Sequence, residues 1–492
     1  MALKLILGPI LGLESNSLYT VLFVANKSII NPKVNYLNTS VDAINIGEIE
    51  SGIVWRAELT LSPDTAQHIT YSIHSSDMPV NDARNACQWR FYVPAKDEQP
   101  KLAYASCNGF SDYKLMTSTD NPYHLWEEMA AQHEDEPFSL LLMGGDQVYA
   151  DSIWTTVPTL KAWNDGGRKQ KVKYVPSKRM QDQISRFYND LYIDRWNKPA
   201  MAQMLASVPS LMMWDDHDII DGWGSFPSQI QTCPVYNTIF ESAKKFFSLL
   251  QIRGHSNQTL LCKQDEPTHF SSHVKFRHFN ILALDNRSER SINEVMSSSH
   301  WSDVISTLES NCLDGDLLVL SAVPVVYRDF SFAESALDAT PWEEELTDDL
   351  KDHWRAKEHE GERLKLIMRL LDNVNTRQGK TVMLSGDVHL GGLGIIIDER
   401  GDTRSSIHQV ISSGIVHPAP TYMQWLGILA VTNDNLEYLD ETRLVTSNMI
   451  KPHGSNKYIR NRNFVTLLEG SDSKLWINWI CEGKDKPSYP LQ

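Results

Sequence analysis

The chain has 492 residues, with 46 Lys+Arg against 62 Asp+Glu and a formal net charge of −16. Its 41% hydrophobic and 22% charged residues exclude a collagen-like, low-complexity or wholly disordered chain. So acidic a chain is a poor non-specific binder of nucleic acid or of an anionic membrane, and neither partner is expected. Its six cysteines form no CxxC pair, which argues against a zinc ribbon, and their sparse use suits a reducing compartment.

The opening MALKLILGPILGLESN has only Lys4 ahead of its apolar run, is broken by Gly8 and Pro9, and shows no small-residue cleavage site. It is expected to be a first strand rather than a leader, and no stretch approaches the about 18–20 uncharged residues of a membrane helix. A cytoplasmic location is the resulting expectation. LKLILGPILG, LYTVLFVAN, IVWRAELTL, HITYSIHSS and QWRFYVPA alternate with turn-rich joints and predict an all-β N-terminal domain over residues 1–98. Pro94 and the polar KDEQPK stretch mark the boundary with a second domain over 99–492.

Beyond it, compact apolar runs alternate with helical segments, predicting an α/β layered core. The runs are LAYAS (102–106), SLLLM (139–143), SLMMW (210–214), FNILAL (279–284), DLLVLSAV (316–323), TVMLS (381–385) and HQVIS (408–412). Helical spacing falls at 120–134, 180–206, 234–251 and 342–373, the last with Thr340 as N-cap and Pro341 at its first position. The basic stretch 165–179 is expected to be a surface loop. The glycine-rich 391–394 is expected to let backbone pass close to a ligand, and Trp214 and Trp223 to serve packing.

The polar residues fall at the ends of the apolar runs. LAYAS runs into Cys107-Asn108, SLLLM into Asp146 and Tyr149, SLMMW into Asp215-Asp216-His217-Asp218, FNILAL into Asp285-Asn286-Arg287, and TVMLS into Asp387 and His389. In open α/β sheets, ligands bind at the carboxyl ends of the strands, so these ends are expected to converge. Carboxylates gathered there repel one another unless cations hold them, and bound metal is the natural compensation.

Together SCN at 106–108, GDQVYAD at 145–151, WDDHDIIDGWGS at 214–225, LDNR at 284–287 and SGDVH at 385–389 resemble the calcineurin-like metallophosphoesterase superfamily, and within it the alkaline phosphatase D (PhoD-like) family. The resemblance extends to GPILG near the start, DDLKDHW at 348–354 and SSGIVHPAP at 412–420, so it covers almost the whole chain. It implies a four-layer α/β/β/α sandwich after the small β domain. It implies Asp146 as the carboxylate bridging two metals, with Cys107, Tyr149 and His389 completing one site. Thiolate and phenolate donors there suit Fe(III). Asp216 and Asp387 with Asp146 form an all-oxygen second site, which favours Ca, Mg or Mn over Zn; Fe(III) with Ca is the expected pair, with Mn, Mg or Zn as further options for the centre. One more His, customary in the superfamily between the DDHD block and the last motif, has no assigned counterpart.

By the same resemblance His217 is the general acid, and Asn108 and Arg287 are phosphate contacts. The implied activity is hydrolysis of phosphate mono- or diesters, on a small molecule or a polymer, by hydroxide generated at the metals. Hydrolysis of a non-phosphate ester or anhydride on the same scaffold, and a non-catalytic binding protein, are the alternatives. The oligomeric state is not legible in the sequence.

Overall fold

The computed structural model describes residues 3–329, 353–483 and 485–491. Thr340, Pro341 and all of 342–352 therefore lie outside the described residues, as do the first five residues of the DDLKDHW motif.

Each expected apolar run from 102 to 412 forms a strand, and side-chain alternation sorts these strands into layers. Strands Leu102–Ala105, Leu140–Gly144 and Ser210–Met213 lie parallel, with Leu102 opposite Leu140 and Leu141 opposite Ser210. A second sheet runs parallel through Phe279–Leu284, Asp316–Ser321, Thr381–Ser385 and Ser405–Ile411. Leu102, Tyr104, Leu140 and Leu142 from the first sheet share one core with Ile281, Leu318, Leu320, Val382 and Leu384 from the second. The alternate residues point outward. Ala103, Leu141, Met143 and Met212 pack under the helices Lys178–Trp196, Pro199–Ser207 and Pro234–Phe246. Leu282, Val319 and Met383 pack under Ser298–Ser310 and Glu360–Thr376. A period of two buried on both faces requires helices outside each sheet, and the result is an α/β/β/α sandwich.

The expected N-terminal strands are present as Leu3–Leu13, Leu18–Ala25, Gly52–Thr60, Gln67–Ser75 and Trp89–Val93. They pair mainly with one another, but the first also lies parallel to Ser210–Met213 through Gly12 and Ser210. Its Leu11 and Leu13 reach the core between the sheets.

Two expectations are corrected. The helical spacing at 180–206 is two helices, because Pro199 starts the second at its first position and lacks the N–H that a continuous helix needs there. The glycines at 391–394 open the strand Gly391–Asp398. A Cβ at Gly394 would meet Val326 Cγ1 at 2.8 Å and one at Gly391 would meet Ile459 Cβ at 3.1 Å, so these glycines admit neighbouring side chains rather than a ligand.

Candidate metal centre

The loops that leave the parallel strands are tied together by backbone hydrogen bonds. Asn108 N donates to Asp146 O at 2.8 Å, Ala150 N to His217 O at 2.7 Å, Gly386 N to Ala322 O at 3.0 Å, and Ile415 N to Ser106 O at 3.0 Å. These links bring loops from both sheets to one place. Cys107, Asp146, Tyr149, Asp387 and His389 all have φ between 51° and 64°, the left-handed region that non-glycine residues rarely occupy. Such conformations persist only where the surroundings over-determine them, and they gather at functional sites.

Two donor groups share Asp146. Cys107, Asp146 and His389 each offer an atom within 4.8 Å of the others, and so do Asp146, Asp215, Asp216 and Asp387. Tyr149 joins the first group, with its Oη 3.0 Å from His389 Nε2 and 3.4 Å from Asp146 Oδ2. Asp146 is buried, and its Oδ1 has no hydrogen-bond partner among the described residues. Burial pushes the Cys107 thiol well up, and the Asp146 and Asp387 carboxylates add to it. Burial likewise raises Asp146, offset by His217 and reinforced by Asp215 and Asp216. Burial, then Cys107 and Asp146, raises Tyr149. Cys107, Asp146 and Tyr149 resist ionisation together in the absence of positive charge, and Asp146 Oδ1 is left without a partner among the described residues. The residues present therefore fit a pair of cations bridged by Asp146.

His217 lies beside this centre. Its Nδ1 is 2.9 Å from Asp151 Oδ1 and its ring stacks on Tyr149 at 4.3 Å. Burial acts to lower its pKa, but Asp151, Asp216, Asp146 and Asp221 together hold it well above the usual imidazole value. His389 is held well below that value by burial and by His417 and His217. His417 stacks on His389 at 3.6 Å and on Tyr149 at 5.5 Å. It lies beyond the last motif in the chain, so it is not the histidine expected between the DDHD block and that motif, and its Nδ1 is 2.9 Å from Pro418 O.

Asn108 and Arg287 are both buried and bonded to neighbouring protein groups. Asn108 Nδ2 donates to Gln147 O at 3.1 Å, and its Oδ1 accepts from Trp126 Nε1 at 2.8 Å. Arg287 is fully buried, bonds Asp215 through Nε, donates to Trp223 O at 3.0 Å and reaches Asp216 Oδ1 at 3.4 Å. Its guanidinium therefore fixes two carboxylates of the centre. Asp218 and Asp285 cap loops. Asp218 accepts from Gln147 N at 2.8 Å and Asp215 N at 3.0 Å, and Asp285 from Trp214 Nε1 at 2.9 Å and Phe270 N at 2.7 Å. Trp214 also stacks on Phe247 at 4.3 Å, and Trp223 on Phe240 at 5.0 Å, so both tryptophans pack.

Sequence reasoning missed Asp151 as the partner of His217 and did not assign Asp215 to the carboxylate group. The available signals were the acid that closes GDQVYAD and the doubled acid of WDDHD.

Residues 61–342 and 339–443 match the family described as PhoD related phosphatase. The chain belongs to this family. A relative from Saccharomyces cerevisiae, the uncharacterized protein YGR266W, is 28% identical over 367 residues, which are 62% of this chain and 52% of that protein. The chain thus spans about half the length of that relative. The solved structure of PhoD matches 100% of this chain and 91% of its own, with a TM-score of 0.61 and 13% identity, a likeness of fold. A dimetal phosphatase from Danio rerio matches 80% of this chain and 100% of its own at 12% identity, with a TM-score of 0.35. The PhoD-related sandwich accounts for the layers described above, including the strands Asn463–Glu469 and Leu475–Cys481 that extend the first sheet beyond Leu102–Ala105.

Proposed function

We propose that the chain is a metal-dependent phosphoesterase that hydrolyses phosphate mono- or diesters. The observation that carries this reading is Asp146, one buried carboxylate shared by a thiolate–imidazole–phenolate set and an all-carboxylate set. The first set suits Fe(III) and the second Ca, by the preference of anionic, electron-donating ligands and of hard oxygens. When bound, such ions polarise phosphoryl oxygens and make a water nucleophilic near neutral pH.

The protein's own residues supply the rest. Cys107, Tyr149 and His389 would hold one ion, and Asp215, Asp216 and Asp387 the other. Arg287 holds Asp215 and Asp216, so neither swings away when the substrate's charge arrives. Asp151 holds Nδ1 of the His217 ring, keeps it protonated and orients it, so that Nε2, 3.8 Å from Asp221 Oδ1, is the atom that would donate to the leaving oxygen. Tyr149 stacks against that ring and limits its rotation.

The test is turnover of a chromogenic phosphodiester, its monoester and a carboxylic ester by the full chain, purified without chelator, beside Asp146→Asn. Wild-type turnover of the phosphate esters should fall at least about 100-fold in the variant, since even outer-shell metal partners are worth 10–100-fold. Elemental analysis of both proteins gives a second readout, with metal content expected to drop in Asp146→Asn. Preferred hydrolysis of the carboxylic ester, or a metal-free active protein, would reject the proposal.

A further inference from the structure

The polypeptide that passes the metal centre at His417 continues through Pro418-Ala419-Pro420 into the helix Tyr422–Val431, YMQWLGILAV. This helix has no charged residue and no buried residue. Tyr422 is 62% exposed, Met423 74%, Leu426 41% and Val431 41%. Only Trp425 and Ile428 turn inward, with Trp425 on Tyr458 at 5.2 Å. At 100° per residue the exposed apolar positions cover more than half the circumference, so the helix stands out as a convex ridge. A soluble surface rarely leaves so large a contiguous apolar patch unless something covers it.

The charge around the ridge indicates what covers it. In a chain of net charge −16, no Asp, Glu, Lys or Arg occurs from Ser405 to Asn433. At the C-terminal end of the helix the Asp434 carboxylate is paired with Arg328 at 3.4 Å and with Lys457 at 2.9 Å, so its charge is matched, and Asp329 accepts from Asn433 Nδ2 at 2.9 Å. Two guanidiniums sit at the base of the ridge, Arg460 over the Tyr422 ring at 5.4 Å and Arg328 over the Trp425 ring at 5.7 Å. Arg460 makes no ion pair with a carboxylate among the described residues, and it donates only a long bond, 3.5 Å, to Pro420 O. An apolar ridge with Tyr and Trp, and an uncommitted guanidinium at its foot, matches the acyl–headgroup boundary of a phospholipid layer. Ten residues rise about 15 Å, enough to lie in that boundary and too short to cross it.

We propose that the helix Tyr422–Val431, which starts five residues beyond His417, seats the protein on a phospholipid surface, Arg460 meeting lipid phosphate. Its consequence, that the phosphoester offered to the centre is borne by a lipid, rests on the phosphoesterase reading above. The docking itself does not.

The test uses the full chain, purified without chelator, with Met423→Glu/Leu426→Glu as the altered protein. Flotation with phosphatidylcholine vesicles, with and without phosphatidylserine, should carry the wild type upward. The double variant should partition at least about tenfold less, because two exposed apolar side chains are no longer buried. Turnover of a soluble chromogenic phosphoester should be the same in both proteins, while turnover of a vesicle-borne phosphoester should fall in the variant. Equal flotation of the two proteins, or no flotation of the wild type, overturns the proposal. So does a dimer in sedimentation equilibrium that the same substitutions dissociate, which would give the ridge to a second copy of the chain. Absence of turnover on every phosphoester would sink the phosphoesterase reading while flotation still decides the docking.

Discussion

Arg287 shows how a single buried residue can order the carboxylates of the centre. It is buried among Asp215, Asp216 and the Trp223 carbonyl, where a planar fork of donors meets two carboxylates at once. An ammonium group has the same charge but cannot reach all three acceptors. Arg287→Lys should therefore lower the urea midpoint by the equivalent of about 3 kcal/mol, the cost of breaking a buried pair, and should also lower metal content. Unchanged stability in urea titration would contradict this placement. Gly109 is a second case. A Cβ there would meet Tyr149 Cδ2 at 2.5 Å, so Gly109→Ala should displace the ring. If Tyr149 and Cys107 ligate Fe(III), the wild type should carry a visible charge-transfer band and Gly109→Ala should weaken or shift it.

At the scale of elements, the strands and the helices differ in how far the sequence revealed them. The parallel strands were legible because short, continuous apolar runs buried on both faces leave little room for another reading. Phe279–Leu284 and Thr381–Ser385 coincide with the expected runs. The strands Gly391–Asp398 and Val445–Ile450 were not foreseen. Gly391–Asp398 gains its place from antiparallel neighbours on both sides, Ser405–Ile411 and Val445–Ile450. Its three early glycines, which weaken a strand on propensity alone, are needed there for close approach. The helix Tyr422–Val431 also went unread, because its apolar residues follow no stripe, although the Thr421–Gln424 capping box was a local signal of its start.

Across the whole molecule, burial sets how stability responds to acid. His408 in the second sheet is pushed down to about 4 by burial alone, and His133, whose Nδ1 accepts from Phe138 N at 3.1 Å, is pushed to about 4 chiefly by burial. Unfolded, both titrate near 6.5. Between pH 6.5 and 4 the unfolded chain binds protons that the folded chain refuses, so stability falls as pH falls through that window. At pH 5 each histidine should cost about 1–2 kcal/mol relative to pH 7. Urea midpoints at the two pH values should show this loss, and His408→Gln should reduce the difference. An unchanged difference in the variant would remove His408 from the account.

The sequence by itself determined an α/β layered core and the residue types at the strand ends, while the four-layer order came from the family resemblance. Burial periodicity is a local property, and so is the tie between a strand and the loop that leaves it. It located Cys107, Asp146, Tyr149, Asp216, His217, Asp387 and His389 at those ends, and the folded loops bring them together. Only the tertiary structure decided how the remaining residues are used. Asn108 and Arg287 face inward to packed partners, Asp151 reaches His217 across 66 positions, and His417 stacks on His389 from a different strand end. Which way a polar side chain turns depends on partners distant in the chain, and the cost of leaving a buried charge unpaired is settled only when those partners are in place.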